Sequence, residues 1–191
     1  MKHAASRQLY AYWEERRGQR LAPERSEIEP GALRQTLGDT FILALNDGTN
    51  SHPFRLAGTR VCALFGRELR GQSFINLWDR QSRATVTDLI SILANEFVGL
   101  VAGVQAHSID GDSLDLELLL LPLGARRPSL ARAIGVLAPL SPPQWLGATP
   151  INGLMLGSHR HIGAPIKTRL LPRFMTEAGR RGLVVVEGGR S

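Results

Sequence analysis

The chain is short of the residues that announce chemistry most directly. Cysteine occurs once in 191 residues, as Cys62. An internal disulfide is therefore excluded, and so is a cysteine-rich zinc site; a reducing, cytoplasmic address is the matching expectation. Nowhere do 18 apolar residues run without interruption, so no membrane span is expected. The opening MKHAASRQLYAYWEERRGQR has a Lys at its start but no continuous apolar block, which argues against a secretory signal. Aromatic residues make up only 6%, too few to interleave with basic groups as a stacking platform for nucleic acid bases. No GxxxxGK(S/T) loop, nucleophile elbow or HExxH pair is present. These absences speak against an enzyme and predict no catalytic residue.

Lysine is scarce as well. Of 23 basic residues 21 are Arg, and a bias in genomic base composition explains that as well as recognition does. The net charge of +6 first suggests nucleic acid. The excess, however, lies beyond residue 140, where seven basic groups face only Glu177 and Glu187. Lys167, Arg169, Arg173, Arg180 and Arg181 read as a solvated tail, with a nucleic-acid-binding accessory role as the alternative. His159 and His161 have a metal-like spacing, but no carboxylate or cysteine adjoins them, so no metal is expected. DGDSLD at 110–115 lacks the Gly and terminal Glu of a calcium loop and reads as a tight turn.

What is present is a folded-protein pattern, 43% hydrophobic and 21% charged, on a length suited to one domain with extensions. In SRQLYAYWEERRGQR, Leu9, Tyr12, Trp13 and Arg16 recur at helical spacing, and Gly18 is a natural stop. Ser26 with Glu29 suggests a capping box opening a second helix that ends at Gly38. Residues 41–45 are apolar on both parities, as in a strand covered on both faces; NDGTNS supplies turn chemistry, and HPFRLAG returns as a second strand. A short helix over residues 59–65 ends at Gly66. A longer one over residues 79–98 carries Val86, Leu89, Ile90, Leu93 and Phe97 on one stripe. Two strands around the turn at 110–113 and a fifth over residues 131–140 complete the order. In the fourth strand Asp115 and Glu117 alternate with leucines, a half-buried signature. INGLMLGSHRHIG could add a strand or a helix. The fold class is α+β, a five-stranded antiparallel sheet with helices between strands two and three. Residues 1–38 form a helical extension, 39–140 the core, and 141–191 a C-terminal extension.

The stretch RLAGTRVCALFGRELRGQSFINLWDR, with Val61, Leu64 and Phe65, then Gly66, E-L-R-G at 68–71, and Phe74 with Trp78, resembles the PAS domain superfamily. Tyr10, Tyr12 and Trp13, the EIEP at 27–30 and LLLPLG at 119–124 extend the likeness to a single-domain bacterial branch with a Y-x-Y-W helix. The likeness covers about residues 5–140. It implies a sheet whose hollow face is closed by a lid, anchored by Val61, Leu64, Phe65, Phe74 and Trp78, and a sensory or regulatory role. Related modules hold haem, flavin or a metabolite under the lid, or hold nothing and dock proteins. None of the five histidines falls between 58 and 98, which argues against haem. R-V-C-A-L around Cys62 lacks the Asn and Arg of the flavin-binding N-C-R-F-L pattern, so flavin is not expected and Cys62 reads as a small buried hydrophobe.

Small residues on the strands (Ala102, Gly103, Ala106, Ala133, Gly135) leave either a ligand cavity or room for close packing. Arg60, Gly103 and His107 join the lid anchors as pocket candidates for an unidentified small ligand. Leu9, Tyr12 and Trp13 either cap the sheet or form the contact with a partner regulatory protein or a second copy. The expectation is a non-catalytic module that signals through protein–protein interaction, with a small ligand as a candidate gate; the alternatives are a nucleic-acid-binding accessory acting through the basic tail and a small-molecule enzyme using the pocket.

Overall fold

In the computed structural model, which describes residues 1–45, 50–124 and 131–163, six strands hydrogen-bond into one antiparallel sheet. They are β1 (Thr40–Ala44), β2 (Phe54–Ala57), β3 (Gly99–Ser108), β4 (Ser113–Leu123), β5 (Arg132–Pro139) and β6 (Ile151–Ile162). Their order across the sheet is β2-β1-β5-β4-β3-β6. The sequence predicts five strands; the sixth comes from INGLMLGSHRHI, which pairs along β3 from Gly99–Ile162 to Ser108–Ile151. Part of the turn after β1, the tail basic residues and the GLVVVEG run lie outside the described residues.

Both faces of this sheet are covered, and the parity of β1 shows why. Phe41 and Leu43 point into one core; Ile42 points into the other. On the first face lie α2 (Thr59–Phe65) and α3 (Arg80–Glu96), and on the second lies α1 (Ala4–Arg17). α2 stops at Gly66, whose φ of 62° is a left-handed cap that glycine adopts without a Cβ penalty. α3 starts at Asp79, whose side chain accepts the Ser82 N–H at 3.0 Å. Its stripe Val86, Leu89, Ile90 and Leu93 is buried as expected. Phe97 is not part of that stripe: it is the C-cap, at φ 55°, and packs into the second core.

Two further expectations change. The segment before β1 is three short 3₁₀ turns (Arg25–Glu27, Pro30–Leu33, Leu37–Asp39) rather than one helix, and its capping box is Glu24 with Glu27. Pro30 and Gly31 follow that box after two residues and interrupt any longer helix. The second change concerns Glu117. It sits on the covered face of β4 and is 4% exposed, whereas Asp115 is exposed as the alternation suggests. Its carboxylate accepts the backbone N–H groups of Lys2 at 2.5 Å and His3 at 3.0 Å, and so holds the start of α1. Orphan donors at a helix start are a natural partner for a buried carboxylate.

Candidate functional site

The lid is built from α2 and the turns that follow it. Val61, Leu64 and Phe65 of α2, with Phe74 and Trp78 beyond it, are all buried in the first core. Phe41 of β1 and Phe54 of β2 meet them from the sheet. The ring centroids lie 5.6 Å apart for Phe41–Phe54, 5.8 Å for Phe41–Phe74, 5.7 Å for Phe54–Phe74 and 5.7 Å for Phe74–Trp78. Burial of each such anchor contributes roughly 1.5–3 kcal/mol. Aromatic side chains thus fill the hollow over β1 and β2. Gly135 serves the same packing: a Cβ there would come within 2.5 Å of Phe41 Cζ and 2.6 Å of the Leu119 carbonyl. Cys62 is buried among these groups, its sulfur 4.0 Å from the Ala57 carbonyl and 3.9 Å from Glu68 Oε2.

Open space lies at the flank of the lid. A cleft of about 400 Å³ runs between the outer side of α2 (Arg60, Ala63, Leu64) and the end of β5 with the chain beyond it (Leu137, Pro139, Leu140, Pro142, Leu146, Gly147). Asp39 and His3 also line it. Arg60 Nε donates to Asp39 Oδ1 at 2.7 Å, and Nη2 donates to Asp39 Oδ2 at 2.6 Å and to the Gln35 carbonyl at 3.1 Å. This two-point pair raises the Arg60 pKa above its ordinary value. The guanidinium lies over Gly38, where a Cβ would sit 2.8 Å from Arg60 Cζ. His3 is the N-cap of α1, its Nδ1 accepting the Ala5 N–H at 3.2 Å. The cleft is mostly apolar with a few polar groups in its lining, a volume suited to a small organic molecule.

The candidate residues divide among several places. Val61, Leu64, Phe65, Phe74 and Trp78 converge under the lid, and Arg60 and Leu64 line the cleft. Gly103 lies elsewhere, beside Ser158 of β6, where β3 pairing shifts register between Ala102 and Val104. His107 is exposed at the far end of β3, with Nδ1 3.3 Å from Ser113 Oγ. Neither lines the cleft beside α2; His107 lines a separate surface pocket with Leu77, Trp78 and Asp79. Leu9 and Trp13, 0% and 2% exposed, are packed against the chain's own sheet, and Trp13 Nε1 donates to the Pro122 carbonyl at 2.8 Å. Tyr12 is half-buried; its hydroxyl donates to the Glu27 carbonyl at 3.2 Å and accepts the Glu29 N–H at 2.9 Å.

His159 and His161 are exposed on β6, and no group of three or more His, Cys, Asp or Glu among the described residues is arranged to hold a metal. Among those residues no helix is long and apolar enough to cross a membrane.

His3, Asp39, Ala63 and the 140–147 wall escape a reading of the sequence. Asp39 and Arg60 are joined only by the return of the first hairpin, and His3 reaches the site only because α1 docks on the opposite face. The one local signal was the proline cluster at 139, 142 and 143, which marks the chain's exit from β5 but not what it encloses.

Comparison with known proteins adds the family. No curated protein matches the chain. Among solved structures, a LOV protein from Rhodobacter sphaeroides is similar at 16% identity and a TM-score of 0.43, over 55% of this chain and 60% of its own. The LOV domain of the blue-light photoreceptor Aureochrome1 is similar at 15% identity and a TM-score of 0.44, over 58% of this chain and 81% of that one. A PAS domain of an HTR-like protein from Haloarcula marismortui is similar at 16% identity and a TM-score of 0.40, over 57% and 90%. The chain spans 60% of the length of the first of these. A family model described as the PAS domain matches residues 1–138, which takes in α1, the lid and the first five strands. By that match the chain belongs to the PAS domain family.

Proposed function

We propose that the chain is a cytoplasmic, non-catalytic regulatory module that alters its affinity for a partner protein when a small ligand occupies the cleft beside the lid. The observation carrying this reading is that the cleft has one wall on the lid helix and the other on the chain that leads into β6. β6 is in turn fastened to the start of α3: the Asp79 N–H donates to the Leu154 carbonyl at 2.8 Å, and the Leu156 N–H donates to Ser82 Oγ at 2.9 Å. A ligand wedged between the walls acts on the lid and the sheet edge together. If it favours one arrangement by about 1–3 kcal/mol, partner affinity changes roughly 5–150-fold.

The reading assigns neither haem nor flavin to the chain, because aromatic rings fill the space over β1 and β2 and Cys62 faces Ala57 and Glu68. It routes any homodimer through the outward side of α1 or through exchange of that helix, since Leu9 and Trp13 are already buried. Native mass spectrometry of freshly purified protein, with hydrogen exchange before and after small molecules are removed, tests it. The expected result is a bound small mass whose loss raises exchange in α2, in residues 140–147 and in β6 together. A tightly bound flavin or haem mass, or exchange changes confined to one of these segments, would overturn it.

A further inference from the structure

We infer that the outer edge of β6 over residues 157–162 is where the partner protein docks, by adding an extended acidic segment of its own as a further strand. That a partner exists rests on the regulatory reading; its place and chemistry come from the edge itself. β6 ends the strand order β2-β1-β5-β4-β3-β6, so one of its sides has no neighbouring strand among the described residues. The first half of that side is taken: the Leu154 carbonyl accepts the Asp79 N–H, and the Leu156 N–H donates to Ser82 Oγ. The second half is open. Val104 pairs with Leu156, and past the register shift Ala102 pairs with His159 and Leu100 with His161. Pairs two residues apart along β3 are of one kind, so the N–H and carbonyl of His159 and His161 point outward as the Leu156 N–H does. Outside the strand ladder, no described residue bonds to them. Such a row of groups is a template for strand addition, in which main-chain bonds give affinity and side chains choose the partner.

The choice here is made by charge. Ser158, His159, Arg160 and His161 are all exposed. Their partners on β3 set His159 and His161 on the face of α2 and α3, and Arg160 on the face of α1. On the α1 face Lys2 joins Arg160 in lining one surface pocket. Neither cation has an ion-pair partner among the described residues. The carboxylate of that pocket, Glu117, is buried and engaged by the Lys2 and His3 N–H groups. Residues 157–162 themselves include no acidic side chain. A strand bearing Asp or Glu therefore meets the cations it needs, whereas the β6 of a second copy would bring Arg160 against like charge.

The test is titration of the full chain, followed by fluorescence and by NMR, with a short peptide of Glu, Val and Thr that carries carboxylates on both faces. The same peptide with Lys for every Glu is the comparison. In the free chain the His159 and His161 amides should exchange quickly, and the acidic peptide should protect them. Saturable one-to-one binding that weakens with salt is expected, and none for the Lys peptide. Arg160→Glu should weaken the acidic peptide about tenfold. His161→Pro removes an outward N–H and leaves the β3 ladder intact, and should abolish binding. If that proline unfolds the chain, Arg160→Glu, a change at an exposed side chain, decides alone. Both amides already protected in the free chain, by its own residues or by a second copy, would overturn the site. So would equal binding of the Lys peptide, no saturable binding of the acidic one, or binding indifferent to Arg160→Glu. Binding at the edge as described that is unchanged when small molecules are removed upholds the docking site and removes the ligand gating instead.

Discussion

Single residues set the geometry here mainly through what they leave out or hold in place. At Gly58 a Cβ would stand 2.2 Å from the Leu37 carbonyl and 2.4 Å from that of Gly38, both backbone atoms. Gly58→Ala should therefore cost more than the roughly 1–3 kcal/mol of ordinary overpacking, seen as a lower urea midpoint. Glu117 makes the opposite kind of contribution. Burial works against its charged form, but the N–H groups of Lys2 and His3, the Ser6 side chain and the amino terminus outweigh that and lower its pKa below the ordinary carboxylate value. A depressed folded pKa means that its contribution is full above the unfolded value of about 4.3 and is lost as pH falls through the folded one. Glu117→Gln should lower stability at neutral pH by about 1.5–3 kcal/mol. Its melting temperature should also fall less steeply than the wild type's on acidification, which thermal scans across pH 2–7 would show. Nothing in the sequence marked Glu117 for this: alternation with leucines fits an outward-facing carboxylate, and only the docking of α1 turns that face into an interior.

At the level of elements, the lid was legible and the extension was not. Thr59–Phe65 carries its own stop at Gly66, and its apolar pairs repeat at helical spacing, so local chemistry and final structure agree. β6 is different. SHRH reads as a polar surface, and what makes INGLMLGSHRHI a strand is the open edge of β3, a partner some 50 residues away. The expected helix before β1 fails for a local reason instead, Pro30 and Gly31 standing where it would have to continue. The fastening of β6 to α3 is open to test. Ser82→Ala removes the acceptor for the Leu156 N–H and should speed hydrogen exchange at that amide while leaving β4 and β5 protected. Asp79→Ala removes the N-cap of α3 and should cost about 1 kcal/mol by chemical denaturation. Its pKa is lowered, chiefly by the Ser82 side chain and with help from the N–H groups of the first turn, so the capping contribution too should fade only in acid.

For the whole molecule, α1 is structure before it is anything else. Leu9 and Trp13 close a second core containing Leu119, Leu121, Ile134 and Val136, so one sheet separates two apolar interiors. Deleting residues 1–20 should not leave a stable domain awaiting a partner. It should yield a chain that aggregates or loses dispersed NMR signals, and Trp13→Ala alone should cost about 3–5 kcal/mol. A well-dispersed monomeric spectrum from the deletion would show that the second core is dispensable. The cleft belongs to a different part of the architecture. The matched PAS domain ends at residue 138, while Pro139, Leu140, Pro142, Leu146 and Gly147 stand just past it. The two walls of the cleft thus come from either side of that boundary. That second wall is tethered through β6, which pairs along the whole of β3, so any displacement of it is handed straight to the rim of the sheet.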